Sequence, residues 1–160
     1  MHGLLFSHLS VITFKQNHIF KMAEIFNTAN AATPLGAYPH ARRVGDIVFL
    51  SGIGPRSAID NTIPGLKLDE EGNIISYSIE METHAVFANV KAVLEASGSS
   101  CENMVDVTVF LTNMKTDFPV YNKIYGEYFK NIQACRTTVE VKSLPTPIAI
   151  ELKVIATINK

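Results

Sequence analysis

Between residues 105 and 112 the chain alternates: Val105, Val107, Val109 and Leu111 fall on one side, and Asp106, Thr108, Phe110 and Thr112 on the other, the period of a strand packed on one face. From Ile79 to Ser97 the period lengthens. Thr83, Val86, Phe87, Val90, Val93 and Leu94 recur at helical spacing, Ser78 precedes them as an N-cap, Glu80 and Glu82 suit the first turn, and Gly98 is placed to end the helix. A second helix is predicted to begin after Asp117, with Pro119 in its first turn and Tyr121, Ile124, Tyr125, Tyr128 and Phe129 along one side. Those tyrosines read as packing residues rather than a ligand cage.

Strand-like runs flank this central part. "YPHARRV" and "IVFLSG" sit on either side of Gly45-Asp46, the glycine-first pair of a II′ hairpin. Residues 54–65 are punctuated by Gly, Pro, Asn and Asp and predict a loop, followed by a short hairpin around "DEEGN". "ACRTTVEVKSLPTPIAIELKVIA" reads as two strands joined by a proline-rich turn. On the last strand Ile148, Ile150, Leu152, Val154 and Ala156 point one way; Ala149, Glu151, Lys153, Ile155 and Thr157 point the other. The expected class is α+β: one mixed sheet with two helices packed on one face. The second set on the last strand mixes apolar and charged groups, which suits a sheet face covered by another subunit with a polar site in the seam, so a homo-oligomer is expected.

At 160 residues the chain suits one domain, predicted over 22–160. A composition 47% apolar and 18% charged, with formal net charge -1, carries neither a basic nucleic-acid footprint nor an acidic tail. Residues 1–21 differ in character. They have neither the basic start and clean apolar stretch of a signal peptide nor the length of a membrane span, and they read as a dispensable extension, with organelle targeting as the alternative. Cys101 and Cys135 have no zinc-type spacing, which makes a reducing cytoplasm the simpler setting. No phosphate-binding glycine loop and no G-x-S-x-G nucleophile motif is present in the sequence.

"GAYPHARRVGDIVFLSGIGP", "NVKAVLEASGSSCENMVDVTVFLTNM", "YNKIYGEYF" and "CRTTVEVKSLPTPIAIELKVIA" together resemble the Rid (YjgF-like) reactive-intermediate deaminases over about residues 27–158. Within that family "GAYPHARRVGD", "FLSGIGPR", "VFLTNMKTDFPVYN" and "LPTPIAIELK" are most similar to the 2-aminomuconate deaminase branch. The resemblance implies a chorismate-mutase-like homotrimer, with helices outside, sheets forming a central barrel and sites in the clefts between subunits. It also implies a cofactor-independent reaction on a small carboxylate-bearing enamine or imine, without metal, nucleic acid or membrane. By the same likeness Arg136 holds the substrate carboxylate, Glu151 orients water, and Tyr38, Ser51 and Asn122 line the site. Thr138 joins that set where many relatives carry cysteine, which weakens an oxidant-triggered chaperone role.

The chemistry asked of these residues is economical. An enamine tautomerises to an electrophilic imine, an arginine fork grips its carboxylate, and an ionised glutamate takes the proton of the attacking water. A dicarboxylate such as 2-aminomuconate needs a further cation, for which Arg56 is the first candidate and Arg42 or Arg43 the second. His40 is a candidate proton shuttle or a hydrogen-bonding strand residue; His84 reads as structural. Three functions stay open: conversion of 2-aminomuconate to 4-oxalocrotonate and ammonia in aromatic or tryptophan catabolism, general 2-iminoacid deamination, and a non-catalytic ligand-binding or chaperone-like trimer.

Overall fold

The computed structural model describes residues 23–158, so the predicted extension over 1–21 lies outside the described residues. In chain order the elements are β1 (Glu24–Phe26), β2 (Ala41–Val44), β3 (Ile47–Leu50), β4 (Lys67–Leu68), β5 (Ile74–Ser76), α1 (Ile79–Ala96), β6 (Met104–Leu111), α2 (Met114–Phe129), β7 (Cys135–Glu140) and β8 (Ile150–Thr157). β4 and β5 form the predicted small hairpin, and the rest build one sheet in the order β1-β2-β3-β8-β6-β7. It is mixed: β6 and β7 run parallel across the α2 crossover, while β8 is antiparallel to both β3 and β6. The proline-rich turn between β7 and β8 is therefore not a hairpin, because β6 lies between the strands it joins.

Local chemistry explains the boundaries. Gly45 takes a positive φ of 61° at the first central position of the β2–β3 turn. α1 is capped by Ser78, whose Oγ accepts from the Met81 N–H at 3.3 Å. It closes with Gly98 at φ 77°, its N–H donating to Glu95 O while Ser99 N–H donates to Leu94 O, the paired bonds of a Schellman ending. α2 begins a turn earlier than predicted. Asn113 caps it by accepting from the Thr116 N–H, and Glu140 of β7 accepts the Met114 N–H at 2.7 Å, so two orphan donors are satisfied before Pro119 is reached. Pro119 thus lies inside the helix, with no N–H to offer the carbonyl of Lys115, an exposed residue that water can reach.

Both helices cover one face of the sheet. Val86, Val90, Val93 and Leu94 of α1 meet Val48, Leu50, Leu152 and Val154 there, and Phe87 packs edge-on against Tyr121, Tyr125 and Phe129 of α2. Two expected core positions move outward. A register shift between Met104 and Asp106 buries Met104 and leaves Val105 49% exposed. Tyr128 is half in solvent, its hydroxyl against His84 Nδ1 at 2.8 Å. The opposite sheet face has no covering element among the described residues, and it displays Ile25, Val44, Ile47, Phe49 and Val139 in the open.

Candidate active site

Glu151 stands on the uncovered face of β8, opposite Phe110 of β6. Its neighbourhood is set by backbone. Ile53 and Leu152 exchange both N–H···O bonds (2.8 and 2.9 Å), which extends β3's chain along β8 and lays Gly52 directly over the glutamate. A Cβ built on Gly52 would lie 2.8 Å from the Glu151 carboxyl carbon, so any other residue there would push that carboxyl aside. Ser51 is fixed twice: its Oγ donates to Pro39 O at 2.6 Å and its N–H to His40 O. Around them Tyr38, Arg42, Phe49, Pro145 and Lys153 complete an open cleft of about 460 Å³.

Burial raises the Glu151 carboxyl above its ordinary value. Among the described residues the ion pairs are Arg43–Glu24 and Lys91–Glu95, so Glu151 is not committed to Lys153. The cleft therefore offers a half-buried, unpaired acid beside a fixed hydroxyl and two cations.

Arg136 belongs to a different surface. It lies in register with buried Val107, so it points to the helix side of the sheet at the β7 edge. There its Nη2 donates to Asn122 Oδ1 at 2.8 Å and its Cζ stands 4.5 Å from the ring centre of Tyr125 and 5.6 Å from that of Tyr121. Burial pushes both phenols up in pKa, against the opposing pull of the Arg136 charge. Asn122 is thus the residue that aims the guanidinium. Thr138 shares Arg136's face, while Cys135 is exposed on the opposite one. One chain holds two groups of candidate residues on opposite faces of one sheet: Glu151 with Ser51 and Tyr38, and Arg136 with Asn122 and Thr138.

The other predicted residues go elsewhere. His40 is buried, its Nδ1 accepting from the Thr28 N–H and its Nε2 lying 2.9 Å from Ala32 O, an arrangement that fits the neutral ring protonated on Nε2. Both ring nitrogens thus have partners within the chain. Arg56 donates to Asn61 Oδ1 (2.7 Å) and Thr33 O (2.9 Å), and its carbonyl is held by Asn89. It borders a small cavity of about 30 Å³ behind Ser51, not the Glu151 cleft. Arg43 is turned to Glu24 and Gly45 O. Of the three arginines considered for a distal carboxylate, Arg42 alone lines the cleft. Gly52 and Asn89 act through contacts across the fold, and no local pattern singles them out.

Comparison with known proteins places this arrangement in a family. A RutC family protein of Pyrococcus horikoshii is 37% identical over 135 residues, covering 84% of this chain and 98% of its own. A Dermatophagoides farinae protein named 2-iminobutanoate/2-iminopropanoate deaminase is 34% identical, covering 84% and 96%. The crystal structure of Escherichia coli TdcF with bound serine superposes with a TM-score of 0.72 at 28% identity, covering 85% of this chain and 99% of that one. The family profile described as Endoribonuclease L-PSP matches residues 28–158, and with two helices on a mixed sheet behind that match, the chain belongs to this family, the RutC/Rid proteins.

Proposed function

We propose that the protein is an enamine/imine deaminase whose site forms between chains of a homotrimer, the Arg136 edge of one protomer closing the Glu151 cleft of the next. The observation that carries this reading is the division of the two charged groups between opposite sheet faces, each built and neither paired with an opposite charge. No single chain can bring them to one small molecule. A second copy can, and the apolar residues around the cleft are suited to such a seam.

The reaction follows from the groups. Arg136 grips the C1 carboxylate through two parallel N–H bonds, its aim set by Asn122. Water adds to C2 of the imine as Glu151 takes one proton and passes it to the nitrogen; the carbinolamine then collapses, its hydroxyl proton following the same route to nitrogen as the C–N bond breaks, and ammonia and a 2-oxo acid leave. Ser51 and Tyr38 supply hydroxyls at the cleft wall. The name of the mite relative and the amino acid in the bacterial neighbour's crystal, a carboxylate with nitrogen on C2, support this substrate class. With net charge -1, the chain offers little basic surface for a phosphate backbone.

Within that class the preferred substrate is 2-aminomuconate, converted to 4-oxalocrotonate, because Arg42 and Lys153 put two cations in the cleft beyond the one needed for C1. Ammonia release from 2-iminobutanoate and from 2-aminomuconate tests both levels. Turnover of either that Arg136→Lys and Glu151→Gln each lower at least tenfold supports deamination; a selective loss on the dicarboxylate in Arg42→Ala supports the finer assignment. Rates no faster than buffer on both would sink the enzyme reading in favour of a binding protein.

A further inference from the structure

A second acid lies behind the cleft, and the reaction above does not use it. Glu82, in the first turn of α1, has no solvent exposure; its Oε2 accepts the Ala149 N–H at 2.7 Å and its Oε1 is buried without a partner. Ala149 is the residue before β8, and its carbonyl accepts from Thr112 N–H, so the strand's first residues hang between Glu82 and the end of β6. Simple alternation would put Ala149 on the face of Glu151. It is buried instead, because it precedes the regular strand and is drawn to α1. Two residues on is Glu151, and Pro145 of the preceding turn is a wall of the cleft.

We infer that Glu82 is a positioning residue: its buried carboxyl anchors the start of β8, and with it Glu151 and the Pro145 wall, and a charge on that carboxyl, one oxygen of which is buried without a partner, favours opening of the segment toward water. The groups facing it decide the charge state. On β8 these are the backbone N–H groups of Ala149 and Ile150; on α2 the charged neighbour is Asp117, itself buried and accepting from Tyr77 Oη and Thr116 Oγ1 at 2.9 Å each. Asp117 accepts from two donors, while Glu82 Oε1 is buried without a hydrogen-bond partner, so a charge on Glu82 is left uncompensated there. Burial, opposed by the Ala149 and Ile150 N–H groups and reinforced by Asp117, pushes Glu82 up to about 7. The anchor thus titrates near neutrality.

This role rests on the deaminase reading, and the test separates the two. Initial rates on 2-iminobutanoate between pH 5 and 9 are compared for wild type, Glu82→Gln, which keeps an acceptor without a charge, and Glu82→Ala. Backbone amide exchange of residues 149–152 is followed over the same range, corrected for intrinsic rates. In wild type, kcat should fall by about fivefold above pH 7 with KM little changed, and protection of these amides should fall with it. In Glu82→Gln both should hold level above pH 7, and Glu82→Ala should lose protection at every pH. Superimposable pH profiles and equal protection in wild type and Glu82→Gln would overturn the inference. Absence of any turnover in wild type would remove the deaminase reading, while the exchange data would still decide whether Glu82 is a proton-sensitive anchor.

Discussion

The Glu151 and Arg136 halves of the proposed site are held by different means. Glu151 is placed by main chain: the Ile53–Leu152 bridge, the Ser51 bonds to Pro39 and His40, and a glycine whose lack of Cβ makes room for the carboxyl. Arg136 sits on an edge strand and is placed by side chains of α2, the amide of Asn122 and the faces of Tyr125 and Tyr121. Main-chain bonds fix the backbone that carries Glu151, whereas Arg136 is oriented by contacts of its own side chain. Sterics should therefore disable the first half, and loss of single polar contacts should only weaken the second.

Substitutions sharpen that contrast, the largest effect coming from the acid. Glu151→Gln should lower kcat by about 10²- to 10⁴-fold with the fold intact by circular dichroism. Gly52→Ala should approach it, with a loss of about 10²-fold, since the new methyl must displace the carboxyl. A Gly52→Ala enzyme of near-normal rate would contradict the backbone-placed acid. On the other half, Arg136→Lys should cost roughly 10- to 100-fold in kcat/KM through loss of the two-pronged contact, and Asn122→Ala only about fivefold, seen chiefly in KM.

The two glutamates also separate in their pH dependence. The proposed reaction needs ionised Glu151, so the rate should be lost as pH falls through a midpoint raised above glutamate's ordinary value, the direction set by its burial. Glu82 works in the other sense through stability. Its folded-state value near 7 lies above the unfolded 4.5, so the folded chain holds the extra proton across that window and stability falls as pH rises through it. Relative to Glu82→Gln, wild type should lose up to about 3 kcal/mol between pH 4.5 and 7, readable as a progressive fall in its melting temperature against the variant's. A constant difference between the two across that range would remove Glu82 as the cause.

Much of the fold is legible in the residues. Alternation in residues 105–112 and the helical spacing of Val86, Phe87, Val90, Val93 and Leu94 locate the central elements because each buries one face. The mixed character of Glu151, Lys153 and Ile155 points to an uncovered sheet face for the same reason. What escapes depends on partners distant in sequence. β1 is only three residues long and exists by pairing with β2. The early start of α2 depends on Glu140, 26 positions away, and the placing of β6 between β7 and β8 on pairing that no local pattern encodes. Arg56 and His40 look free in the sequence because Asn61, Thr33, Thr28 and Ala32, which hold them, are ordinary loop residues.

The most direct test of a site divided between chains is complementation. Arg136→Ala and Glu151→Gln proteins, each inactive alone, are unfolded together in equal amounts, refolded and assayed on 2-iminobutanoate. If each site joins Arg136 of one chain to Glu151 of another, a mixed trimer regains one intact site of three, and random assembly should restore about a quarter of wild-type activity. If both groups served a site within one chain, mixing would restore none, and a site shared between protomers would be contradicted.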